Sequence, residues 1–138
     1  MQLPSPDDMQ LLAQVGFVAA GRGDVAAAQR IFEPLALLRP DCSFAYVGLA
    51  TALLNAGQAM QAVQRLQSVH LPAGPEADML DAFKGLALQL ASRGGESTYL
   101  LRQVVRRARA SSVSEGALLA ARLLGEELAV PPEPVPSI

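Results

Sequence analysis

Large apolar residues and small residues recur at helical spacing along this chain, and one such pattern occurs twice, 34 residues apart. Large side chains three or four positions apart form one helix face, while small residues let a second helix approach closely. The first stretch contains Leu12, Val15, Gly16, Ala19, Gly23, Ala28, Phe32 and Pro40. The second contains Tyr46, Leu49, Ala50, Leu53, Gly57, Ala62, Leu66 and Gly74. The pattern predicts two antiparallel helical hairpins, each with a glycine in its turn.

Residues at the predicted helix ends divide the chain into about seven helices and no strand. Four side chains are placed to cap the N-termini of the first, second, third and seventh helices: Ser5, Asp24, Asp41 and Ser112. Pro75 can open the fifth helix, because proline suits the first helical position. The Gly94–Gly95 pair is predicted to end that helix.

The 34-residue period resembles the tetratricopeptide repeat, which pairs two helices in each unit. This resemblance implies an all-α, right-handed stack of antiparallel helical hairpins. We expect one domain over residues 5–129, with clear repeats at about 9–74 and a degenerate third unit at 76–110. A capping helix is predicted at 112–128, and the proline-rich tail, 130–138, is expected to be extended.

Composition favours a protein-binding role over nucleic-acid or membrane binding. Hydrophobic residues make up 51% of the 138 residues, and the mean hydropathy of +0.26 indicates apolar surface that is either buried or available to a partner. The net charge is −2, so no global basic character points to nucleic acid. The uncharged span 42–64 could be long enough to cross a bilayer, but Gly57 and several glutamines favour a buried hairpin over membrane insertion.

Candidate chemistry is sparse, and we expect no enzyme activity, cofactor or metal. His70 and Cys42 are each the only residue of their kind, and no cluster has metal-ligand spacing. Asp78 and Asp81 share a helix face, so a catalytic carboxylate pair is an alternative to two polar surface groups. Arginines within 102–109 could form a nucleic-acid patch, but a solvated helix face explains them better.

The tetratricopeptide resemblance implies that the first helix of each unit lines a concave groove. Counting along the repeat gives these client-binding residues: Gln10, Ala13, Phe17, Phe44, Val47, Thr51, Leu54, Asp81 and Leu88. Such a groove is mainly apolar with an acidic edge, and it suits an extended apolar peptide. The alternative is that Phe17, Phe44 and Leu54 belong to the hydrophobic core.

Residues 23–66 are also similar to a narrower family, the class II chaperones of bacterial type III secretion. The matching residues are Gly23, Ala28, Ile31, Phe32, Leu35, Leu38, Tyr46, Gly48, Leu49, Ala50, Gly57 and Ala62. The resemblance implies a cytoplasmic bacterial chaperone, associated with virulence, that holds an apolar segment of a secreted client before export. A translocator, a needle subunit or a tip subunit could be that client.

Two alternatives remain open from the sequence. The repeats could instead be a structural scaffold of a multiprotein secretion complex, with a permanent protein–protein interface. Two clear hairpins also fall short of the roughly three that a stable repeat stack needs. We therefore expect either that the seventh helix closes the open end of the stack or that the protein forms a homodimer through an apolar face.

Overall fold

A computed structural model describes residues 4–110 and 113–128, and every regular element within these ranges is an α-helix. The helices are α1 (Pro6–Gly21), α2 (Val25–Leu38), α3 (Phe44–Asn55), α4 (Ala59–Gln67), α5 (Pro75–Leu90), α6 (Gly94–Ala110) and α7 (Glu115–Leu124). The predicted all-α fold with seven helices is confirmed for this part of the chain. The predicted tail, 130–138, lies outside the described residues.

Two of the predicted caps begin their helices as expected. The Ser5 hydroxyl accepts a hydrogen bond from the Asp8 backbone N–H at 3.1 Å, and the Asp8 carboxylate accepts one from the Ser5 N–H at 3.3 Å. This reciprocal pair is a capping box. Asp24 caps α2 by accepting from the Ala27 N–H at 3.1 Å. Each cap satisfies a backbone donor that has no partner inside its helix.

The predicted caps of α3 and α7 were wrong. Asp41 lies in a turn in which the Cys42 N–H donates to the Arg39 carbonyl, so α3 begins only after Ser43. The Ser114 hydroxyl caps α7 by accepting from the Ala117 N–H at 3.1 Å. Ser112, the predicted cap, lies outside the described residues. Each helix therefore begins two residues or more after the residue that the spacing predicted.

One turn geometry ends four of the helices. Its left-handed residues are Gly23, Gly57, Ser92 and Gly125, with φ between 64° and 77°. In each turn the next N–H donates back to a carbonyl five residues earlier, as in the Schellman motif. These bonds join Asp24 to Ala19, Gln58 to Leu53, Arg93 to Leu88 and Glu126 to Ala121, at 2.8–3.0 Å.

The repeated turn corrects the predicted end of the fifth helix. The left-handed residues of the four turns are 34, 35 and 33 positions apart in sequence. The turn of the third hairpin therefore follows that of the second with one extra residue. The left-handed position falls on Ser92, and Gly94–Gly95 opens α6 instead of ending α5. The third hairpin therefore has the same turn as the first two, at a spacing that a strict 34-residue count misses.

A close contact between a glycine and a buried side chain in the first hairpin recurs in the third hairpin, 69 residues later. The buried Phe32 ring lies between Gly16 on α1 and Gly48 on α3; an added Cβ at Gly16 would be 2.7 Å from the ring, and one at Gly48 would be closer still. In the third hairpin, a Cβ at Gly85 would lie 2.6 Å from Leu101 Cγ. The buried Ser97 hydroxyl donates to the Gly85 carbonyl at 2.7 Å and joins α6 to α5.

The helices form two layers. The odd-numbered helices contact one another in order, α1 with α3, α3 with α5 and α5 with α7. Within the described ranges, the even-numbered helices pack closely against their sequence neighbours, while their own backbones do not approach one another. The hydrophobic core consists of two buried clusters that follow each other along the stack. One contains residues of α1 to α5, and the second contains Ala82 of α5 and residues of α6 and α7.

Candidate functional site

A small apolar cavity lies between the N-terminal halves of α1 and α3, with the end of α2 at its rim. It measures about 240 Å³ and is lined by Pro6, Met9, Gln10, Ala13, Arg39, Cys42 and Phe44. Three predicted groove residues, Gln10, Ala13 and Phe44, meet in this cavity. We call it the α1–α3 cavity.

Phe17 lies outside the α1–α3 cavity, and its ring is partly packed against the core and partly exposed to solvent. Its ring meets the buried Phe32 ring edge to face, with the centroids 5.0 Å apart and the planes at 65°. Its exposed fraction is nevertheless 39%. Phe17 thus supports the core through one edge and leaves the remainder of its ring accessible.

The remaining predicted residues are not part of the α1–α3 cavity. Val47 and Leu88 are buried, while Leu54 is half-buried against the core. The Thr51 hydroxyl donates to the Val47 carbonyl at 2.8 Å within α3. Asp81 is paired with Arg107 at 2.9 Å, so its carboxylate is already engaged within the fold. The structure therefore brings part of the predicted groove together and buries or pairs other members.

A larger apolar cavity, which the sequence analysis missed, lies between α2, α3 and α4. It measures about 360 Å³ and is lined by Phe32, Glu33, Ala36, Leu37, Ala45, Tyr46, Leu49, Arg65, Leu66, Ser68 and Val69. It exists because the backbones of α2 and α4 do not approach each other closely, which leaves α3 side chains at its floor. The sequence feature that could have indicated this cavity is Leu37, a large apolar residue near the end of α2. In the structure its side chain is 84% exposed.

A polar cavity of about 380 Å³ adjoins the apolar cavity between α2, α3 and α4 and shares Arg65 and Ser68 with it. Its other lining residues are Gln29, Leu53, Gln61 and Gln64. The Arg65 guanidinium donates to the Glu33 carboxylate at 2.9 Å and joins α4 to α2 beside both cavities. Both charged side chains are about half exposed, so this pair adds little stability.

Tyr46 holds the loop between α2 and α3 at the edge of the larger cavity. Its hydroxyl donates to the Pro40 carbonyl at 2.9 Å. Burial raises the pKa of this hydroxyl, and the neighbouring Asp41 and Cys42 raise it further, because each disfavours the phenolate. Tyr46 therefore remains a neutral hydrogen-bond donor at physiological pH.

The predicted carboxylate pair is a structural junction of α5, α6 and α7. Arg107 donates to Asp78 at 3.0 Å and to Asp81 at 2.9 Å, and Ser114 donates to the other oxygen of Asp78 at 2.7 Å. Partial burial lowers the pKa of Arg107, but hydrogen bonds to Asp81 and Asp78 outweigh it and the net pKa is raised. Both carboxylates thus serve to hold α6 and the start of α7 against α5.

The described residues show no group of three His, Cys, Asp or Glu side chains placed to hold a metal ion. None of the described helices combines the length and apolar character that crossing a membrane requires. No family model, curated protein or solved structure matches this chain. The all-α stack of helical hairpins and its cavities are therefore the basis for any functional assignment.

Proposed function

We propose that this protein is a bacterial type III secretion chaperone, which binds an apolar segment of a secreted client in the cytoplasm before export. The observation that carries the proposal is the α1–α3 cavity, where Gln10, Ala13 and Phe44 meet. The sequence resemblance of residues 23–66 to class II secretion chaperones supports the same function. The client is a translocator, a needle subunit or a tip subunit.

The α1–α3 cavity suits the apolar side chain of an extended segment. Met9, Ala13 and Phe44 supply apolar walls, and apolar surface buried there contributes about 25 cal/mol per Å². Gln10 and Arg39 supply polar groups at the same cavity, and an amide both donates and accepts hydrogen bonds. The cavity therefore offers apolar contacts to a side chain of the client and hydrogen-bonding groups to the client backbone beside it.

The cavity walls belong to helices that the fold already fixes. Phe44 packs against the main core cluster, and α3 contacts α1, α2, α4 and α5. A preformed site loses less side-chain freedom on binding than a flexible one, so more of its contact energy contributes to affinity. Binding and release of a client in this mechanism need neither a nucleotide nor a catalytic group.

A structural scaffold of a secretion complex is the second candidate. Its support is the number of large apolar side chains that remain exposed away from the α1–α3 cavity, among them Leu11, Leu37 and Leu90. A scaffold would cover such residues permanently in the assembled complex. A chaperone would instead be absent from the purified secretion complex, because it releases its client before export.

The test compares two phenylalanines that differ in their relation to the cavity. Fluorescence anisotropy measures binding of 15-residue peptides tiled across the translocator, needle and tip subunits encoded by the same bacterium. Phe44→Ala should weaken binding of the tightest peptide at least about fivefold, since aromatic anchors commonly contribute more than about 1 kcal/mol. Phe17→Ala is the matched control, because it makes the same chemical change outside the α1–α3 cavity.

Thermal unfolding of both variants separates lost binding from lost folding. Equal weakening by the two changes, or wild-type affinity in folded Phe44→Ala, would reject the α1–α3 cavity as the client site. Failure of every peptide to bind would reject the chaperone proposal. Recovery of the protein as a stable component of the assembled secretion complex would favour the scaffold.

A further inference from the structure

The N-terminus of α3 lies at the α1–α3 cavity but has no cap of its own. Ser43 is its N-cap residue, and the Ser43 side chain makes no capping hydrogen bond. By contrast, α1, α2 and α7 each begin with a side-chain oxygen that accepts from the first turn. Backbone N–H groups at the start of a helix lack partners within it, so α3 depends on a group from outside the helix.

Glu76 supplies that group from the third hairpin. Its carboxylate accepts a hydrogen bond from the Ser43 backbone N–H at 2.7 Å, across 33 residues of sequence. In α1 the equivalent bond stays within one helix, where the Ser5 N–H donates to Asp8 at 3.3 Å. A bond to the N-cap N–H is the part of a capping box that an acidic side chain normally provides. Glu76 provides it to α3 from the first turn of α5.

The surroundings strengthen the bond between Glu76 and Ser43. A hydrogen bond to a carboxylate is roughly twice as strong as one between neutral groups. A negative charge beside a helix N-terminus also interacts favourably with the helix dipole. Ser43 is 6% exposed, so little water competes for its N–H. The bond therefore fixes the start of α3 relative to α5.

Ser43 is flanked by two residues of the α1–α3 cavity. Cys42 precedes it and Phe44 follows it, and both line that cavity. The three residues share one stretch of backbone, so a bond that fixes Ser43 also fixes where its two neighbours enter the cavity wall. Glu76 acts on this wall from behind, because it is not among the residues that line the cavity.

We propose that Glu76 is a positioning residue for the client site, because it holds the start of α3 and thereby places Phe44 in the cavity wall before a client binds. The role of Glu76 rests on the proposed function, since it concerns the same α1–α3 cavity. A wall that is already ordered loses less conformational freedom on binding, which increases affinity. The third hairpin therefore contributes to client binding without contacting the client.

A second acidic residue in the same turn of α5 holds the helix on the other side. The Asp78 carboxylate accepts from the hydroxyl of Ser114, the N-cap residue of α7, at 2.7 Å. Two positions along a helix correspond to a rotation of about 200°, so Glu76 and Asp78 point to nearly opposite sides of α5. One turn of α5 thus anchors the N-terminal ends of both neighbouring helices in its layer, and only the Glu76 side leads to the α1–α3 cavity.

Fluorescence anisotropy with the tightest of the tiled 15-residue peptides tests the role in binding. Glu76→Ala should weaken binding at least about threefold, because affinity falls with the fraction of protein whose α3 start is in place. Glu76→Gln should be intermediate, since its amide oxygen still accepts a hydrogen bond but has no charge. Glu115→Ala is the control, because Glu115 and Glu76 line the same cavity of about 400 Å³ while only Glu76 bonds to Ser43. Wild-type affinity in folded Glu76→Ala, or equal weakening by Glu115→Ala, would overturn the proposal.

Amide hydrogen exchange followed by NMR tests the positioning itself and needs no client. The Val47 N–H donates to the Ser43 carbonyl at 2.9 Å, and the Ala56 N–H closes the other end of α3 by donating to Ala52 at 3.0 Å. Glu76→Ala should speed exchange at Val47 at least about threefold more than at Ala56, because only the start of α3 loses its cap. Equal acceleration at both amides, or unchanged exchange at Val47, would overturn the proposal. Failure of every peptide to bind would reject the proposed function, whereas the Val47 result would still decide whether Glu76 holds α3.

Discussion

Gly116→Ala should destabilise the protein even though alanine normally favours a helix. Gly116 lies near the start of α7, where that helix approaches the α5 backbone. An added Cβ would lie 2.7 Å from the Asp78 carbonyl oxygen and closer still to the Met79 backbone nitrogen. Backbone atoms cannot rotate away as a flexible side chain could, so α7 must shift away from α5.

The magnitude follows from two opposing effects. Overpacking typically costs about 1–3 kcal/mol, and backbone contact places this site near the upper end. Alanine regains about 1 kcal/mol of helix propensity over glycine. We therefore expect a net loss of about 2 kcal/mol in the free energy of unfolding. For a chain of this length, that is a decrease of roughly 4–8 °C in Tm.

Gly95→Ala is the matched control, because Gly95 is also helical and no atom lies within 4 Å of an added Cβ. It should stabilise the protein by about 0.5–1 kcal/mol, the ordinary helical preference for alanine. Urea unfolding followed by circular dichroism measures both free energies. Stabilisation by Gly116→Ala, or equal effects of the two changes, would refute the inferred backbone contact between α5 and α7.

Three further predictions concern a helix-ending turn, a helix cap and the hydroxyl of Tyr46. Ser92→Gly should raise the free energy of unfolding by up to about 1 kcal/mol, because it relieves a left-handed backbone at φ 64°, and thermal unfolding measures it. Asp24→Ala should lower that free energy by about 1 kcal/mol through loss of the α2 cap. Asp7→Ala is the control, because Asp7 is not the N-cap residue of its helix. Folding raises the pKa of Tyr46, so its contribution to stability is complete below the ordinary value of 10.0 and is lost as pH rises through the folded value. Unfolding curves from pH 8 to 12 should therefore show a smaller decline in Tyr46→Phe than in the wild type, and identical declines would contradict the burial of this hydroxyl.

Most helices were predictable from the sequence because their signals are local. Ser5 and Asp24 cap through side-chain oxygens within three residues, and Gly23 and Gly57 turn the chain as the period predicts. The third turn was missed because a serine occupies its left-handed position. Nothing local identifies Ser92 for that role, since it follows from the hydrogen bonds between the end of α5 and the next residues.

The candidate site was less predictable, because a cavity depends on distances between helices. The repeat places Gln10, Ala13 and Phe44 on facing helices, and these three do meet in the α1–α3 cavity. Burial of Val47 and Leu88 depends on how closely α3 and α5 approach their neighbours, which periodicity does not specify. The larger cavity likewise results from the separation of α2 and α4.

The two core clusters have a consequence for how the protein loses its structure. The larger cluster joins α1 to α5, while the smaller one joins α6 and α7 to Ala82 on the other side of α5. In stacked helical units, each element is stabilised mainly by its neighbours, so cooperativity can end at a boundary between clusters. Amide hydrogen exchange should accordingly divide the molecule at α5, with α6 and α7 opening together while the amides of α2 to α4 remain protected. Local opening would then begin at one end of the chain and leave the helices around the α1–α3 cavity folded.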